Sequence, residues 1–250
     1  MEFYKSTSNP FVQKLKSLKD KKVRRSLGYF LVEGENIIKD FSPFVDVKYI
    51  VVEDTKLDQY KYILDKYSNR CVGVDSKVMK AISDTVTPCG IVAVVGYTPS
   101  NQLVGDNIVV LDGVTDPGNF GTIVRSCVAC GIKDVLAVES TDFLSGKVVR
   151  SSMGGVLRCN IVECTRQEMP SYLEGRQVYA LDMNGENIFE NSVDKTRPWA
   201  LVVGSEAHGI SPEIKLRADK ILSLPMVGDI ESLNAGVSLS VGLFELVFGK

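Results

Sequence analysis

No apolar run in this 250-residue chain reaches the roughly 18 residues that a membrane-spanning helix needs. The opening stretch, MEFYKSTSNPFVQKLKSLKDKKVRRS, is basic but lacks the apolar core of a secretion signal. A cytoplasmic location with no membrane partner is therefore expected. Internal repeats and low-complexity tracts are missing too. With 44% hydrophobic and 24% charged residues, the composition is that of an ordinary globular chain of one large or two small domains. Cysteine is present six times, but no secretion signal or small scaffold accompanies it, so a disulfide framework is not expected. Cys127 and Cys130 form a lone CxxC, and Cys159 and Cys164 lie in an apolar run. This spacing matches no common zinc ribbon, and the four read as thiols packed in a core, with no metal site. Nor does a G-x-G-x-x-G follow any candidate strand, which weighs against a dinucleotide-binding oxidoreductase.

A strong net charge is also lacking: 29 basic residues meet 31 acidic ones, for a formal charge of −2. The distribution is uneven. Between Met1 and Arg25 lie eight basic residues and two acidic ones, so this segment is +6 and the remainder −8. Lys19, Lys21, Lys22 and Arg24 are candidate RNA-binding residues, since such a cluster fits a phosphate footprint. The same residues also fit the solvated face of an amphipathic helix, because Phe11, Leu15 and Leu18 recur at helical spacing.

What is there in quantity is alternation of apolar runs and helical patterns, in two blocks. In the first, strands are expected at Tyr29–Val32, Val47–Val52, Cys71–Val74 and Ile91–Val95, with helices at Gly34–Phe41, Leu57–Tyr67 and Lys77–Ile82. Residues 1–97 form this first domain, and 98–106, rich in Pro, Ser, Asn and Gly, read as a linker. In the second domain, 107–250, strands are expected at Asn107–Leu111, Asp134–Val138, Cys159–Glu163, Gln177–Leu181, Ala200–Val203 and Ile221–Leu224. Helices are expected at Gly118–Cys130, Gly146–Met153, Met169–Glu174, Pro212–Leu216 and Leu233–Val247. Continuous apolar strands such as IVVL and ALVV point to a parallel sheet covered on both faces.

Ligands of α/β proteins gather at the carboxyl ends of parallel strands, and three loops there have unusual composition. After IVVL comes LDGVTDPGNFGTIVR, Leu111 to Arg125. Pro117 sits where a helix can start, and Asn119 is either a helix cap with Arg125 a surface residue, or both belong to a pocket. After ALVV comes GSEAHGIS. Ser211 as N-cap and Pro212 as first helical residue account for half of it, but not for Glu206. The chain's one histidine, His208, reads either as a general base or as an incidental loop residue. The third loop, LPMVGDIESLN from Leu224 to Asn234, leads into a helix rich in small residues, fit for deep burial or a subunit interface.

Together the three loops resemble the SpoU/TrmH family of SPOUT RNA 2′-O-ribose methyltransferases, which is marked by N-x-G-x-x-x-R, G-x-E-x-x-G and L/I-P-M…S-L-N motifs. Here these run from Asn119 through Gly121 to Arg125, from Gly204 through Glu206 to Gly209, and over Leu224-Pro225-Met226 with Ser232-Leu233-Asn234. The segment VRSSMGG at Val149–Gly155 also matches. The first block is similar to the family's N-terminal substrate-binding domain, which resembles an RNA-binding ribosomal protein; NPFVQKLKSLKDKKVR, FLVEGENII and TPCGIVAVV carry this likeness. Two departures stand out: Asn234-Ala235-Gly236-Val237-Ser238 replaces the more usual N-V-S-x-A, and Cys89 replaces a commoner glutamine.

The resemblance implies an α/β chain with a small N-terminal RNA-binding domain followed by a trefoil-knotted, mainly parallel-sheet methyltransferase domain, acting as a homodimer. It implies that S-adenosyl-L-methionine is held by Gly204, Leu224, Met226, Ser232 and Leu233. Arg125, Glu206, Asn234 and Asn119 would form the polar reaction site. The ribosomal-protein-like domain points to ribosomal RNA rather than transfer RNA as the substrate. A non-catalytic RNA-binding protein is the rival class, and it leaves the three polar loops without a purpose.

Overall fold

The computed structural model describes residues 1–190 and 193–249. The chain divides into two compact units, Met1–Thr98 with Leu144–Gly154, and Pro99–Phe143 with Gly155–Lys250. Among the described residues, no helix is long and apolar enough to cross a membrane.

The first unit runs β1 (Glu2–Tyr4), α1 (Pro10–Ser17), α2 (Lys21–Leu27), β2 (Tyr29–Glu33), α3 (Glu35–Lys39), β3 (Val47–Glu53), α4 (Lys61–Lys66), β4 (Cys71–Val74), α5 (Ser76–Ile82) and β5 (Ile91–Gly96). The sheet order is β1-β4-β3-β5-β2. Strand β4 pairs in parallel with β1 and β3, whereas β5 runs antiparallel to β2 and β3. Val12, Leu15 and Leu18 of the first helical segment pack on Val51, Val74, Val92 and Val94 of the sheet. Each such buried aliphatic side chain contributes about 1.5–3 kcal/mol.

The basic N-terminal stretch is two helices rather than one, because Asp20 interrupts it. The Asp20 carboxylate accepts from the amides of Lys22 and Val23 at 2.7 and 3.1 Å, capping α2, which then ends at left-handed Gly28. This break decides the fate of Arg24. Only 6% exposed, it donates from Nη1 to the carbonyls of Leu18 and Lys19, both at 2.7 Å. Those carbonyls belong to the turn that joins α1 to α2, so Arg24 stands withdrawn from the basic face in which the sequence placed it. Lys21 and Lys22 are exposed. Lys19 is exposed but tied down, donating to the Ser83 carbonyl at 2.6 Å with Asp84 at 3.8 Å.

The first unit also takes in α7 (Gly146–Ser151), whose Arg150 lies 3.8 Å from the buried carboxylate of Glu33. Glu33 also accepts from the hydroxyls of Ser83 and Thr85, each at 2.6 Å, as a buried charge requires.

The second unit contains β6 (Ile108–Asp112), α6 (Pro117–Ala129), β7 (Asp134–Val138), β8 (Asn160–Cys164), α8 (Met169–Leu173), β9 (Gln177–Asn187), β10 (Trp199–Gly204), α9 (Pro212–Arg217), β11 (Lys220–Ser223) and α10 (Ala235–Phe248). Its six strands lie in the order β11-β9-β10-β6-β7-β8, and every neighbouring pair is parallel. All residues of β6, β7 and β10 are buried, which is why these strands read as continuous apolar runs. Strand β9 runs six residues beyond the expected Gln177–Leu181. It stays paired with β11 through a register shift at Ile221/Leu222. Gly185 permits this, since a Cβ there would lie 2.7 Å from the Ile221 carbonyl.

Cys71, Cys127, Cys159 and Cys164 are buried free thiols, Cys130 is half-buried and Cys89 is exposed. Burial pushes the Cys159 and Cys164 thiols up to about 12.

Candidate active site

Strand β6 ends in Asp112, a buried carboxylate that accepts from the Ser211 amide at 2.6 Å and pairs with the Arg166 guanidinium. Beyond it, Asp116 caps α6 by accepting from the Asn119 amide at 2.8 Å, and Pro117 occupies the first helical turn. The capping role considered for Asn119 therefore belongs to Asp116. Asn119 lies inside the first turn, 7% exposed, and its Nδ2 donates to Glu206 Oε1 at 2.7 Å. A charge-assisted bond of this kind fixes the carboxylate's orientation.

Glu206 itself rides on the turn that follows β10. Ser205 and Gly209 exchange backbone hydrogen bonds of 3.0 and 2.9 Å across it. Gly204 must lack a side chain because the Gly209 backbone presses against its α-carbon, and Gly209 is left-handed with φ +65°. Ser211 then caps α9, with Pro212 in the first turn.

The third loop connects β11 to α10. Asn234 Oδ1 accepts from the amides of Gly236 and Val237 at 3.0 and 3.3 Å, committing that oxygen to the cap and leaving Nδ2 as the donor it can offer. Small residues bring α10 against α6: a Cβ on Gly236 would stand 3.4 Å from the Asn119 α-carbon, and the Ser126 and Ser240 hydroxyls are 2.7 Å apart. The motif-bearing helices are thereby locked together.

The second and third loops, with the middle of β9, enclose a cleft of about 530 Å³. Gly204, Glu206, Leu224, Met226, Ser232, Leu233 and Asn234 all line it, while Asn119 braces Glu206 from outside the lining. Arg125 does not line it; it stands exposed on α6. Lys19, Lys21, Lys22 and Arg24 belong to the first unit. Sequence reasoning missed Leu181, Asp182, Met183 and Asn184, which line the cleft from the far half of β9, and Glu231 from the third loop. The signal that pointed to the other loops, a strand's carboxyl end, was present after Leu181 as well. Among the described residues, no group of three or more His, Cys, Asp and Glu could hold a metal ion.

The cleft suits a nucleoside-bearing, partly apolar cofactor. Leu181, Leu222, Leu224, Met226 and Leu233 supply apolar wall, and the glycine turn lets backbone amides and carbonyls approach closely. Carboxylates of Asp182, Glu206 and Glu231 give it negative polarity suited to a cationic ligand.

Comparison with known proteins identifies the family. The chain is 28% identical over 254 residues to the 23S rRNA (guanosine(2553)-2′-O)-methyltransferase RlmP of Bacillus subtilis strain 168, covering 98% of this chain and 99% of that protein. The AdoMet-bound rRNA methyltransferase of Sinorhizobium meliloti superposes with a TM-score of 0.83 at 27% identity, over 98% of this chain and 97% of that one. A putative RNA methyltransferase of the TrmH family from Porphyromonas gingivalis gives 0.82 at 30% identity, over 96% and 97%. Residues 9–93 match the MRM3-like substrate binding domain. Residues 106–244, more than half of the chain, match the SpoU rRNA Methylase family, and the chain belongs to that family.

Proposed function

We propose that this chain transfers a methyl group from S-adenosylmethionine to a ribose 2′-hydroxyl of ribosomal RNA, in the cytoplasm. The observation that carries the reading is the cleft at the carboxyl ends of a parallel sheet, lined by the second and third motif loops, with Asn119 of the first loop bonded to Glu206 in its wall. Gly204, Leu224, Met226, Ser232 and Leu233 would hold the cofactor, which supplies an electrophilic methyl carbon on a sulfonium. The protein's task is to align the ribose oxygen and assist loss of its proton. Orientation alone can supply several orders of magnitude in rate. Glu206, held by Asn119, and the Asn234 amide position the reacting groups. The Arg125 guanidinium, a planar cation, stabilises developing negative charge on the ribose oxygen while gripping a phosphate.

Arg125 stands outside the cleft of its own chain, as a site completed at a subunit boundary requires. Beside it, α10 presents Val237, Phe244 and Phe248 at 43, 47 and 64% exposure, with Val241 between them, one stripe at helical spacing. This face supports a homodimer, and sedimentation at micromolar concentration should show one; a monomer would remove the dimer from this reading. The path from edge strand β11 back to α10, packed on α6 and β10, supports a C-terminal segment threaded as a trefoil knot.

Mapping ribose methylation in RNA from cells with and without the gene tests the reaction. One ribosomal 2′-O-methyl site should disappear without it and return in vitro with purified protein and S-adenosylmethionine. Loss of a site in transfer RNA instead would move the substrate, and no lost site would overturn the assignment.

A further inference from the structure

We propose that the first unit carries a stacking platform for single-stranded RNA, made of Tyr29 and Tyr49 with Lys14 and Lys48 beside them. This rests on the reading of the chain as an RNA methyltransferase and adds where, and by which chemistry, the substrate strand is gripped. The platform arises from register. Tyr29 opens β2 opposite Gly96 of β5, and Tyr49 of β3 lies opposite Val94 of the same strand. Phe11 and Lys14, one turn apart on α1, reach these rings: Phe11 meets Tyr49 edge-on at 5.0 Å and Tyr4 at 5.2 Å.

The cations sit on the aromatic faces. Lys14 Nζ lies 5.1 Å and Lys48 Nζ 5.8 Å from the Tyr29 ring centre. Lys48 reaches Tyr29 by crossing Gly96, where a Cβ would stand 3.1 Å from its Cε. Tyr49 is 38% exposed, and Tyr29 is half-buried. Nearby acidic groups are few and engaged: Asp46 pairs with Lys48 at 2.8 Å, and Glu2 accepts from the Tyr4 hydroxyl.

Charge identifies the occupant. The platform borders the +6 N-terminal segment of a chain whose net charge is −2, so it suits a polyanion. Aromatic rings interleaved with cations suit unpaired bases strung on phosphates, whereas the stacked bases of a duplex offer no face to a ring. A base laid on a tyrosine displaces the ammonium, which then meets the adjoining phosphate.

The full-length protein, titrated with a labelled single-stranded RNA and with a duplex of equal length over a range of salt, tests this. Tyr49→Leu and Tyr29→Leu should each weaken single-strand binding about 10-fold, leaving the salt slope unchanged and duplex binding nearly so. Lys14→Gln with Lys48→Gln should instead lower the single-strand slope by roughly 1.4, about 0.7 for each phosphate that no longer meets a cation. Tyr49, the more exposed ring, keeps the test valid if melting shows Tyr29→Leu to be unfolded. Single-strand affinity at the wild-type level in Tyr49→Leu overturns the platform, as does an equal loss for both RNAs. Methyl transfer by the wild-type protein separates the two readings: if it occurs and the tyrosine variants bind normally, only the platform fails.

Discussion

The first unit mixes parallel and antiparallel pairings in five strands and displays its cations on helix surfaces and sheet ends; the second runs six strands parallel and gathers its polar residues in loops at one edge. Antiparallel neighbours send their connections to opposite ends of a sheet, so no single rim collects them. Parallel neighbours place every carboxyl end on the same side, and loops far apart in sequence converge there. Asn119 and Glu206, bonded at 2.7 Å across 87 positions, are the product of that geometry. One unit is thus suited to hold a long polyanion by surface contacts, each modest. The other is suited to enclose a small ligand and fix a few groups tightly. Removing a cleft group should therefore change rate steeply, and removing a surface group should change affinity gradually.

Arg125 offers the largest effect and the hardest test of this contrast. Arg125→Ala should lower single-turnover methyl transfer by about 100-fold or more, as deleting an electrostatic group at a reaction centre does. Cofactor binding by calorimetry should be unchanged, because the residue does not line the cleft. Arg125→Lys should recover part of the rate if a point charge suffices and none if a bidentate grip on phosphate is required. A near wild-type rate in the alanine variant would make Arg125 a surface residue of α6.

The Asn119–Glu206 bond comes next. Asn119→Asp puts a second carboxylate against Glu206, and like charges at that distance favour protonation of the pair. Transfer should fall about 10-fold above neutral pH and recover as the pH drops and the pair takes up one proton, because the introduced carboxyl, once protonated, would again donate to Glu206. A pH–rate profile parallel to the wild type would show that Glu206's orientation does not matter.

How far these residues were legible in the sequence depends on where their partners are. The glycine turn at Gly204–Gly209 and the Ser211 cap are local, so composition and spacing located them. The all-parallel sheet was legible in runs such as IVVL, since burial on both faces leaves no alternation. By contrast, the partner of Asn119 lies in another loop, and nothing in NFG separates a cap from a brace. Arg24 was read as exposed because its role depends on a helix break made by Asp20 four residues earlier. The cleft's β9 wall, Leu181 to Asn184, went unread although the strand was expected to end at Leu181, because DMNG after it lacks the motif residues that marked the other loops and the strand in fact continues to Asn187. Strand β1, three residues long, is too short to show any period.

On the surface side of the comparison, Lys21→Gln with Lys22→Gln should weaken RNA binding and lower its salt slope by roughly 1.4, again about 0.7 for each phosphate of a single strand. Cofactor binding and the rate at saturating RNA should stay as they are. Arg24→Gln should behave differently from its neighbours, lowering the melting temperature of the first unit by uncovering the carbonyls of Leu18 and Lys19 rather than acting on the slope. A slope unchanged in the lysine pair would make them a solvated face of α2.

The smallest effect concerns how tightly the second unit is closed. Cys159 is buried, and its thiol, 3.2 Å from the Lys133 carbonyl, is raised by burial, then by the nearby Asp134 charge, from 9.0 to about 12. In the unfolded chain the thiol loses its proton near pH 9, while the folded protein keeps it until about pH 12. Between those values the unfolded state binds fewer protons, so stability must fall as pH rises and is fully present only below pH 9. For a single thiol the loss is about 1.4 kcal/mol between roughly pH 8 and 10. Urea unfolding under reducing conditions at the two pH values, for the wild type and Cys159→Ala, isolates this contribution. The variant will be less stable at both, because it leaves a small cavity, but its alkaline decline should be shallower by about one proton. Equal declines would mean that the thiol ionises in the folded protein as readily as in water, and that the core beneath β8 opens to solvent.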